Sequence, residues 1–271
     1  CYSAHVRDGA VASGLDPERV AVVPLGVDPA RFRPGVAPLA LGDAAPGFRF
    51  LFVGGLIWRK GVDLLLDAYA SAFTRADDVT LVIKSYGPGG PYGGEHERER
   101  VERMARDPRG PRVVHLTGAL GSADVPALSA ACDCLVHPAR AEGCGLTVLE
   151  AIACGLPVIV PDRGATAEVA TKERAHHVPA RPLDAAPEAE GMRLAGAPAL
   201  SEIDVSALAE AMRAHAAEPA DARARTARTA AAVRAEYSWA RSVEVATARM
   251  VALADRTRSG TKTSSIVGVG R

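Results

Sequence analysis

Two glutamates separated by seven residues stand out in a stretch that is otherwise small or apolar, AEGCGLTVLEAIACGLPVIV at positions 141–160. After Glu142 the only charged side chain in this stretch is Glu150. An ionised glutamate is rarely buried without a partner, because isolating its charge from water is costly. Glu142 falls in a glycine-containing loop and Glu150 about a turn into the next helix, so both carboxylates can reach one crevice at the helix N-terminus. Such a pair suits a ligand with hydroxyl groups at both ends and phosphate in the middle, as in a nucleotide-sugar. The alternative is a solvent-facing Glu150 and an ordinary loop charge at Glu142.

Two cations precede another helix in the segment FLFVGGLIWRKGVDLLLDAYA. Gly54 and Gly55 follow a strand and let the backbone approach a ligand closely, and Arg59 and Lys60 stand beside the helix that begins near Val62. A helix N-terminus disfavours cations, unless an anion lies between them and the exposed amides. The loop therefore predicts a phosphate site, with a solvated surface pair as the alternative. It contains neither the G-x-G-x-x-G fingerprint nor a Walker A motif.

The cysteines give little support for a metal site. Cys132 and Cys134 lie in the strand-like segment CDCLVHP, which points them to opposite faces, and no second pair stands at zinc-ligand spacing. His137 nearby makes a metal site conceivable, but small buried thiols in a reducing cytoplasm are the expected state. With no Asp-x-Asp motif in the chain, we expect no metal requirement if Arg59, Lys60 and helix amides neutralise a diphosphate.

Apolar, β-branched runs alternate with helical patterns along the chain. The expected strands are residues 20–24, 48–53, 79–84, 112–116, 132–137, 156–160 and 175–179. The expected helices between them are residues 62–73, 95–106, 123–131, 146–154 and 165–170, followed by 205–217, 220–236 and 239–254. Nearly continuous apolar strands separated by helices predict an α/β fold with a doubly wound parallel sheet, which is Rossmann-like. Ligands of such sheets bind at the carboxyl ends of the strands.

Composition excludes several classes of function. Lys plus Arg equals Asp plus Glu, at 32 each, so no polyanion-binding surface and no nucleic-acid partner are expected. No apolar run reaches the roughly 18 residues of a membrane span, and we expect no signal peptide and a cytoplasmic location. The first residue is Cys1, and the opening CYSAHVRDGAVASGL is typical of a helix already under way, which predicts a fragment of a longer protein.

The stretch 141–160 resembles the E-x7-E element of retaining glycosyltransferases of family 4 (glycosyl transferases group 1), which have the GT-B fold. Other segments are similar to that family in the same order along the chain: VAVVPLGVDPARFRPG, FVGGLIWRKGVDLLLDAYA, LSAACDCLVHP, GATAEV and EYSWARSV. The resemblance implies that the chain is the C-terminal, donor-binding half of a GT-B enzyme, with C-terminal helices. The activity it implies is transfer of a sugar from a nucleotide diphospho-sugar with retention of configuration.

The resemblance also implies roles for individual residues. Lys60 and Arg59 would neutralise the donor diphosphate, Glu150 would accept hydrogen bonds from the ribose, and Glu142 would bind hydroxyls of the transferred sugar. The amides at the start of the helix would hold sugar hydroxyls and phosphate oxygens, and the backbone near residues 84–87 and 115–118 would border the base and ribose. The expected donor-binding residues are Gly54, Gly55, Lys84, Gly143, Cys144, Gly145, Leu146 and Glu150, with Glu142, Lys60 and Arg59 as catalytic residues and no metal ligand.

Three departures from the family concern the donor pocket. Many members carry Arg where Gly55 stands, Cys144 replaces the usual Phe, and Lys84 with Ser85 stands where many have a glycine turn. They leave open a looser sugar pocket and an extra cation at Lys84. They also motivate the rival hypothesis of a catalytically degenerate module that binds nucleotide-sugar without turnover. A nucleotide-sugar epimerase or a sugar phosphorylase of the same architecture is a further alternative.

The expected organisation is a remnant of an N-terminal acceptor domain (1–19), a linker (20–46), the donor domain (47–181), a loop (182–200), C-terminal helices (201–257) and a disordered tail (258–271). The partners implied are the nucleotide-sugar donor, a glycan, lipid or protein acceptor, and the missing N-terminal domain. Peripheral membrane association through that missing domain is left open. Without the domain, we expect the chain to be weakly active or inactive, although the whole enzyme would be a hexosyltransferase.

Overall fold

The structure is a computed structural model that describes residues 1–42, 45–86, 95–183, 188–189, 192–193 and 199–258. Its central sheet consists of β1 (Phe48–Val53), β2 (Val79–Lys84), β3 (Arg112–Leu116), β4 (Cys134–Val136), β5 (Val158–Pro161) and β6 (His176–Val178). All of these strands are parallel, in the order β3-β2-β1-β4-β5-β6. The predicted α/β fold with a doubly wound parallel sheet is confirmed.

The helices follow the expected alternation with the strands. They are α1 (Ala4–Ala12), α2 (Val62–Ala72), α3 (Glu95–Arg106), α4 (Asp124–Ala130), α5 (Leu146–Ala153), α6 (Ala165–Val169), α7 (Val205–Ala217), α8 (Pro219–Glu236) and α9 (Trp239–Arg258). Helices α2 to α6 connect the strands of the sheet, and α7 to α9 form the predicted C-terminal helical segment.

The strand order reverses between β1 and β4. From β1 the chain moves outward through β2 to β3, then returns to place β4 on the other side of β1. The loops that follow β1 and β4 therefore start from neighbouring strands at the carboxyl edge of the sheet and lead to helices on opposite faces, α2 and α5. This reversal is the position at which doubly wound sheets bind their ligands.

Both faces of the sheet are buried, which explains why its strands are almost continuously apolar. Side chains alternate along β1, so Phe50 and Phe52 point into one core cluster while Leu51 points into the other. Helices α2 and α7 pack together on the first face, and α5 and α8 on the second. Burying a large apolar side chain completely stabilises the fold by about 1.5–3 kcal/mol, so β1 is a firm base for the loop that follows it.

Two expectations for the start of the chain are wrong. Residues 20–24 do not form a strand, because they run beside the first residue of the chain and not beside a strand of the sheet, with the amide of Val23 donating to the carbonyl of Cys1 at 2.8 Å. The opening segment is not a helix already under way, since α1 begins at Ala4 behind its own N-cap, Ser3. The amides of Ala4 and His5 donate to the Glu168 carboxylate, at 2.9 and 2.5 Å.

The segment 182–200, expected to be a loop, contains strands. β7 (Ala180–Leu183) pairs antiparallel with β10 (Leu200–Ile203), and β8 (Glu188–Ala189) pairs with β9 (Met192–Arg193). The segment is rich in Ala, Pro and Gly and lacks the β-branched, alternating pattern from which strands are predicted. Of the expected disordered tail, Arg258 ends α9 and residues 259–271 lie outside the described residues.

Candidate functional site

The two loops with unusual chemistry in the sequence lie side by side at the reversal of strand order. The first follows β1, passes Gly54 and Gly55, and forms a 3₁₀ turn, Trp58–Lys60, before α2. The second follows β4 and carries Glu142 shortly before α5. Both loops lead from the carboxyl end of a strand into a helix N-terminus, as the sequence predicts.

Two glycines shape these loops where they enter their helices, and Gly61 makes the close approach of the loops possible. Gly61 ends the 3₁₀ turn with φ of 69°, and a Cβ atom there would lie 2.1 Å from the carbonyl oxygen of Pro138 in the second loop. Gly145 precedes α5 with φ of 76°, and its Cβ would lie 2.6 Å from Cγ2 of Thr166. A side chain at either position would meet both an unfavourable φ and a clash, so both glycines are required by the local geometry.

The cations of the first loop contact the glutamate of the second. The Lys60 ammonium forms an ion pair with Oε1 of Glu142, and Arg59 Nη1 lies 3.7 Å from its Oε2. Arg59 Nη1 also donates to the carbonyl of Ala141 at 2.7 Å. The Glu142 side chain is only 13% exposed and that of Lys60 16%, so this pair is largely shielded from water. The structure thus brings Lys60 and Glu142 together across 82 positions of sequence, with Arg59 beside them.

His137 joins this cluster and was missed as a site residue by sequence reasoning, which considered it only as a metal ligand. It directly follows β4 and is 1% exposed, and its Nε2 lies 3.1 Å from Oε1 of Glu142. Burial by itself would raise the pKa of Glu142, but its contacts with His137 and Lys60 outweigh burial and hold the pKa at about 2. Glu142 is therefore ionised at neutral pH and acts only as an acceptor.

Arg140, also missed by sequence reasoning, fastens the two loops together. It is 3% exposed, and its guanidinium binds the Asp63 carboxylate at the start of α2 with distances of 2.8 and 2.6 Å. It also donates to the carbonyl of Trp58 at 2.7 Å and stacks 4.5 Å from the centre of the Trp58 ring. A third partner is Glu202 of β10, at 3.2 Å. A buried arginine cannot be recognised from loop composition, and only its place two residues before Glu142 could have drawn attention to it.

The N-terminus of α5 offers backbone donors beside Glu142. Within the described part of the chain, no hydrogen bond occupies the amides of Cys144, Gly145 and Leu146. Gly143 is open, with nothing within 4 Å of the position that a Cβ would take. The thiol of Cys144 is buried at 5% exposure, which raises its pKa. Cys144 is therefore a packing residue, and the donors at this helix end come from the backbone.

Lys84 contacts neither Glu142 nor the other two cations. Its ammonium is buried at the end of β2 and donates to the carbonyls of Ser85 and Gly118, at 2.6 and 2.8 Å. Burial lowers its pKa. The carbonyl of Lys84 accepts from the amide of Gly54 at 3.0 Å, which places Lys84 beside the first loop. Of the backbone expected to border a base and ribose, Gly87 lies outside the described residues.

Glu150 lies on α5 and forms no hydrogen bond or ion pair with Glu142, Lys60, Arg59 or His137. It is half-buried, and burial raises its pKa to about 7, against a smaller opposing effect of Arg31 from the segment before β1. Among the described residues its carboxylate has no hydrogen bond and no ion pair. Within the described ranges, the structure therefore gives Glu150 no hydrogen-bonded or ion-pair partner that would account for its place in an apolar helix.

A cavity of about 250 Å³ opens beside Glu142, and among the residues that line it are His5, Arg140, Arg163, Thr166 and Ser201. Its mixture of charged and small side chains suits a polar ligand of modest size. Among the described residues, no three His, Cys, Asp or Glu side chains are grouped so as to hold a metal ion. No helix in the described part of the chain is long and apolar enough to cross a membrane.

Comparison with known proteins agrees with this fold. A family model described as "Glycosyl transferases group 1" matches residues 47–194. A D-inositol 3-phosphate glycosyltransferase of Geodermatophilus obscurus is 39% identical over 155 residues, which are 54% of this chain and 33% of that protein. A GDP-mannose-dependent alpha-(1-6)-phosphatidylinositol monomannoside mannosyltransferase of Mycobacterium tuberculosis is 33% identical over 159 residues, covering 54% of this chain and 39% of that protein. These matches thus span about a third of the length of such relatives.

A likeness to solved structures extends over more of the chain. HepE of Anabaena, in complex with UDP and glucose, superposes with a TM-score of 0.68 at 17% identity. The match covers 94% of this chain and 62% of that one. At this identity the likeness concerns the fold alone.

Proposed function

The chain belongs to the glycosyl transferases group 1 family, whose model covers residues 47–194, and from this premise we propose that it supplies the donor-binding domain of a retaining glycosyltransferase. The donor is a nucleotide diphospho-sugar. The observation that carries the proposal is the meeting of Arg59 and Lys60 with Glu142 beside the unoccupied amides of α5. Cations, helix-end donors and a sugar-binding acceptor then lie together where doubly wound sheets bind ligands.

The diphosphate would lie between the two loops. Arg59 and Lys60 would bind it from one side, and the amides at the start of α5 from the other. Negative charge grows on the departing diphosphate during transfer, and fixed donors aimed at that charge lower the barrier, by roughly 3 kcal/mol for one donor in a well-ordered site. With two cations and a helix end in these positions, we propose that donor binding requires no metal ion.

The two glutamates would hold the two ends of the donor. Glu142 would accept hydrogen bonds from hydroxyls of the transferred sugar, and the adjacent cavity has room for such a ring. Glu150 would accept hydrogen bonds from the ribose, and its half-buried carboxylate, without a partner among the described residues, is available for them. Gly54, Gly55 and the end of β2 at Lys84 would border the nucleoside.

The relatives suggest where to look for substrates. One is named for GDP-mannose, and both are named for inositol-containing acceptors. GDP-mannose and inositol phosphates are therefore the first pair to test, although most of an acceptor site would belong to regions of the whole protein that this chain does not contain.

Calorimetry of the chain with UDP, GDP and ADP and with their sugars tests the proposal. We expect the nucleotides of one base to bind. Lys60→Met should weaken the binding of that nucleoside diphosphate by tenfold or more, which is the contribution of one charge-assisted hydrogen bond. Lys172→Met is the matched control, because this exposed lysine lies in the loop that enters β6, at the opposite edge of the sheet. Failure of the unaltered chain to bind any of these ligands would exclude the donor-site assignment.

Turnover requires the full-length protein. Transfer that disappears in Glu142→Ala while nucleotide binding persists supports a catalytic domain, and the anomeric configuration of the product, read by NMR, tests retention. The rival function, a nucleotide-sugar-binding module, is motivated by the buried Cys144 next to Gly143 and by Gly55, which depart from the family pattern. It would show donor binding with no transfer to any acceptor.

A further inference from the structure

His137 forms a hydrogen bond with Glu142 but has no role in the donor site proposed above. It is 1% exposed, and its main chain is fixed in the sheet by an amide that donates to the carbonyl of Ile159 at 2.9 Å. Its ring reaches the carboxylate of Glu142, five residues further along, at 3.1 Å. Because Glu142 is ionised and can only accept, the hydrogen of this bond belongs to Nε2 of His137.

Two hydrogen-bond donors and one further cation surround the carboxylate of Glu142. Lys60 and His137 both contact Oε1 of Glu142, and Arg59 lies nearer to Oε2. The two loop cations differ from His137 in what else they can do. Arg59 and Lys60 have long side chains, whereas the ring of His137 is held by a buried strand end. A donor diphosphate, with two negative charges, would therefore draw away Arg59 and Lys60 but leave His137 in place.

We propose that His137 is a positioning residue that holds Glu142 once the donor diphosphate has engaged Arg59 and Lys60. The inference rests on the proposed donor site. With the cations turned to phosphate and a sugar covering the carboxylate, Glu142 would otherwise be shielded from water with none of its partners among the described residues left, which is costly. The bond from Nε2 keeps Oε1 occupied and the carboxylate ionised. Oε2 is then free to accept hydrogen bonds from the hydroxyls of the transferred sugar.

This role predicts a difference between two ligands that share the same nucleotide. A nucleoside diphosphate leaves the place of the sugar open to water, which can solvate Glu142 once the cations have turned to phosphate, so its affinity should depend only weakly on His137. The corresponding nucleotide-sugar needs an oriented Glu142, so its affinity should depend strongly on His137. If His137 had only a structural role, its substitution would weaken the binding of both ligands equally.

The experiment compares His137→Gln with His137→Asn in calorimetric titrations of UDP or GDP, whichever binds, and of its sugar. A glutamine amide takes the place of Nε2 and still reaches Glu142, whereas an asparagine amide is one bond too short. We expect His137→Asn to weaken the nucleotide-sugar by about tenfold or more while the diphosphate changes less than about twofold. His137→Gln should restore most of the loss.

Several outcomes would overturn the proposal. Equal loss for both ligands, or no loss in His137→Asn, would show that His137 does not position Glu142. Equal behaviour of the two variants would do the same. Since both substitutions are polar and of similar size, a folding defect would affect both and appear as a common fall in melting temperature, and His137→Phe then serves as a donor-free variant. Failure of the unaltered chain to bind either ligand would contradict the donor site itself and not this inference alone.

Discussion

Gly61 lies so close to the carbonyl oxygen of Pro138 that a Cβ atom on it would be 2.1 Å from this oxygen. One residue precedes α2 and the other follows β4, so the contact joins the two loops of the candidate site. The amide of Arg140 donates to the carbonyl of Arg59 at 2.8 Å and strengthens the same junction. The placement of Lys60 against Glu142 therefore follows from the absence of a side chain at Gly61.

Gly61→Ala should separate the loops. The substitution introduces both a clash with backbone and a side chain at φ of 69°, where non-glycine residues are strained by about 1–3 kcal/mol. We expect a loss of at least about 2 kcal/mol of unfolding free energy in urea denaturation, and at least tenfold weaker binding of the nucleoside diphosphate. Gly9→Ala is the control, because nothing lies within 4 Å of its Cβ position inside α1. It should leave stability unchanged or raise it by up to about 1 kcal/mol.

Arg140→Met should destabilise the fold, although the sequence places Arg140 in a loop where a charged residue is usually exposed. The substitution leaves the carboxylates of Asp63 and Glu202, each 22% exposed, without their shared cation. Breaking a buried ion pair costs about 3 kcal/mol or more, and we expect that loss in urea denaturation. Arg241→Ala removes an exposed pair with Glu244 and should cost less than about 0.5 kcal/mol. A loss equal to that of Arg241→Ala would show that Arg140 is not a fastening residue.

The sheet was predictable because its strands are buried on both faces and are therefore almost continuously apolar. β1, β2 and β3 have the predicted bounds, since continuous apolar runs of this length admit few alternatives. The apolar run at residues 20–24 has the same composition but finds no strand beside it, so composition misled there. The pairing of β7 with β10 depends on contacts between segments some twenty residues apart, which local pattern does not reveal.

The site was predictable where its chemistry lies in the loops themselves. Glycines beside charges at strand ends identified Arg59, Lys60 and Glu142, and the structure joins them. His137 and Arg140 escaped because their roles depend on burial and on partners distant in sequence. The roles of Glu150 and Lys84 in donor binding stay predictions, and the contacts of Lys84 with two carbonyls show that a cation near a site is not necessarily available to a ligand.

Glu150→Gln should make the protein more stable at alkaline pH. Burial raises the pKa of Glu150 to about 7, whereas the unfolded chain titrates near 4.3. Between these values the folded state retains a proton that the unfolded state has lost, so stability falls as pH rises through this window. The variant cannot ionise, and we expect it to gain about 1–3 kcal/mol at pH 8 and nothing at pH 4. Glu210→Gln, on the exposed side of α7, is the control for urea denaturation at the two pH values.

The same carboxylate should couple donor binding to proton release. If ribose hydroxyls donate to ionised Glu150, binding favours the charged form and expels a proton near pH 7. Calorimetric titration of the nucleoside diphosphate at pH 7 in buffers of different ionisation enthalpy measures this release. The released proton should disappear in Glu150→Gln, and its persistence there would place the ribose elsewhere.

His215 on α7 should make the fold sensitive to acid. It is 4% exposed, and neither ring nitrogen has a hydrogen-bond partner among the described residues. Burial, followed by the nearby His176 and Arg225, lowers the pKa of His215 to about 4. Since an unfolded histidine titrates near 6.5, the unfolded state binds more protons below that pH, and stability declines as pH falls from about 6.5 to 4.

His215→Leu should remove much of that decline. The leucine has a similar volume, leaves no unsatisfied nitrogen in the core and cannot be protonated, so we expect the variant to exceed the unaltered protein in unfolding free energy by about 1–3 kcal/mol at pH 5. Part of the decline should remain, because the pKa of His176, whose ring centre lies 5.3 Å from that of His215, is also lowered by burial. Urea denaturation of both proteins at pH 5 and pH 7.5 measures how much of the decline is removed and how much remains. An unchanged difference between the two pH values would show that protonation of His215 is not what acid acts on, and would direct attention to the ion pairs of Arg140 and Glu142.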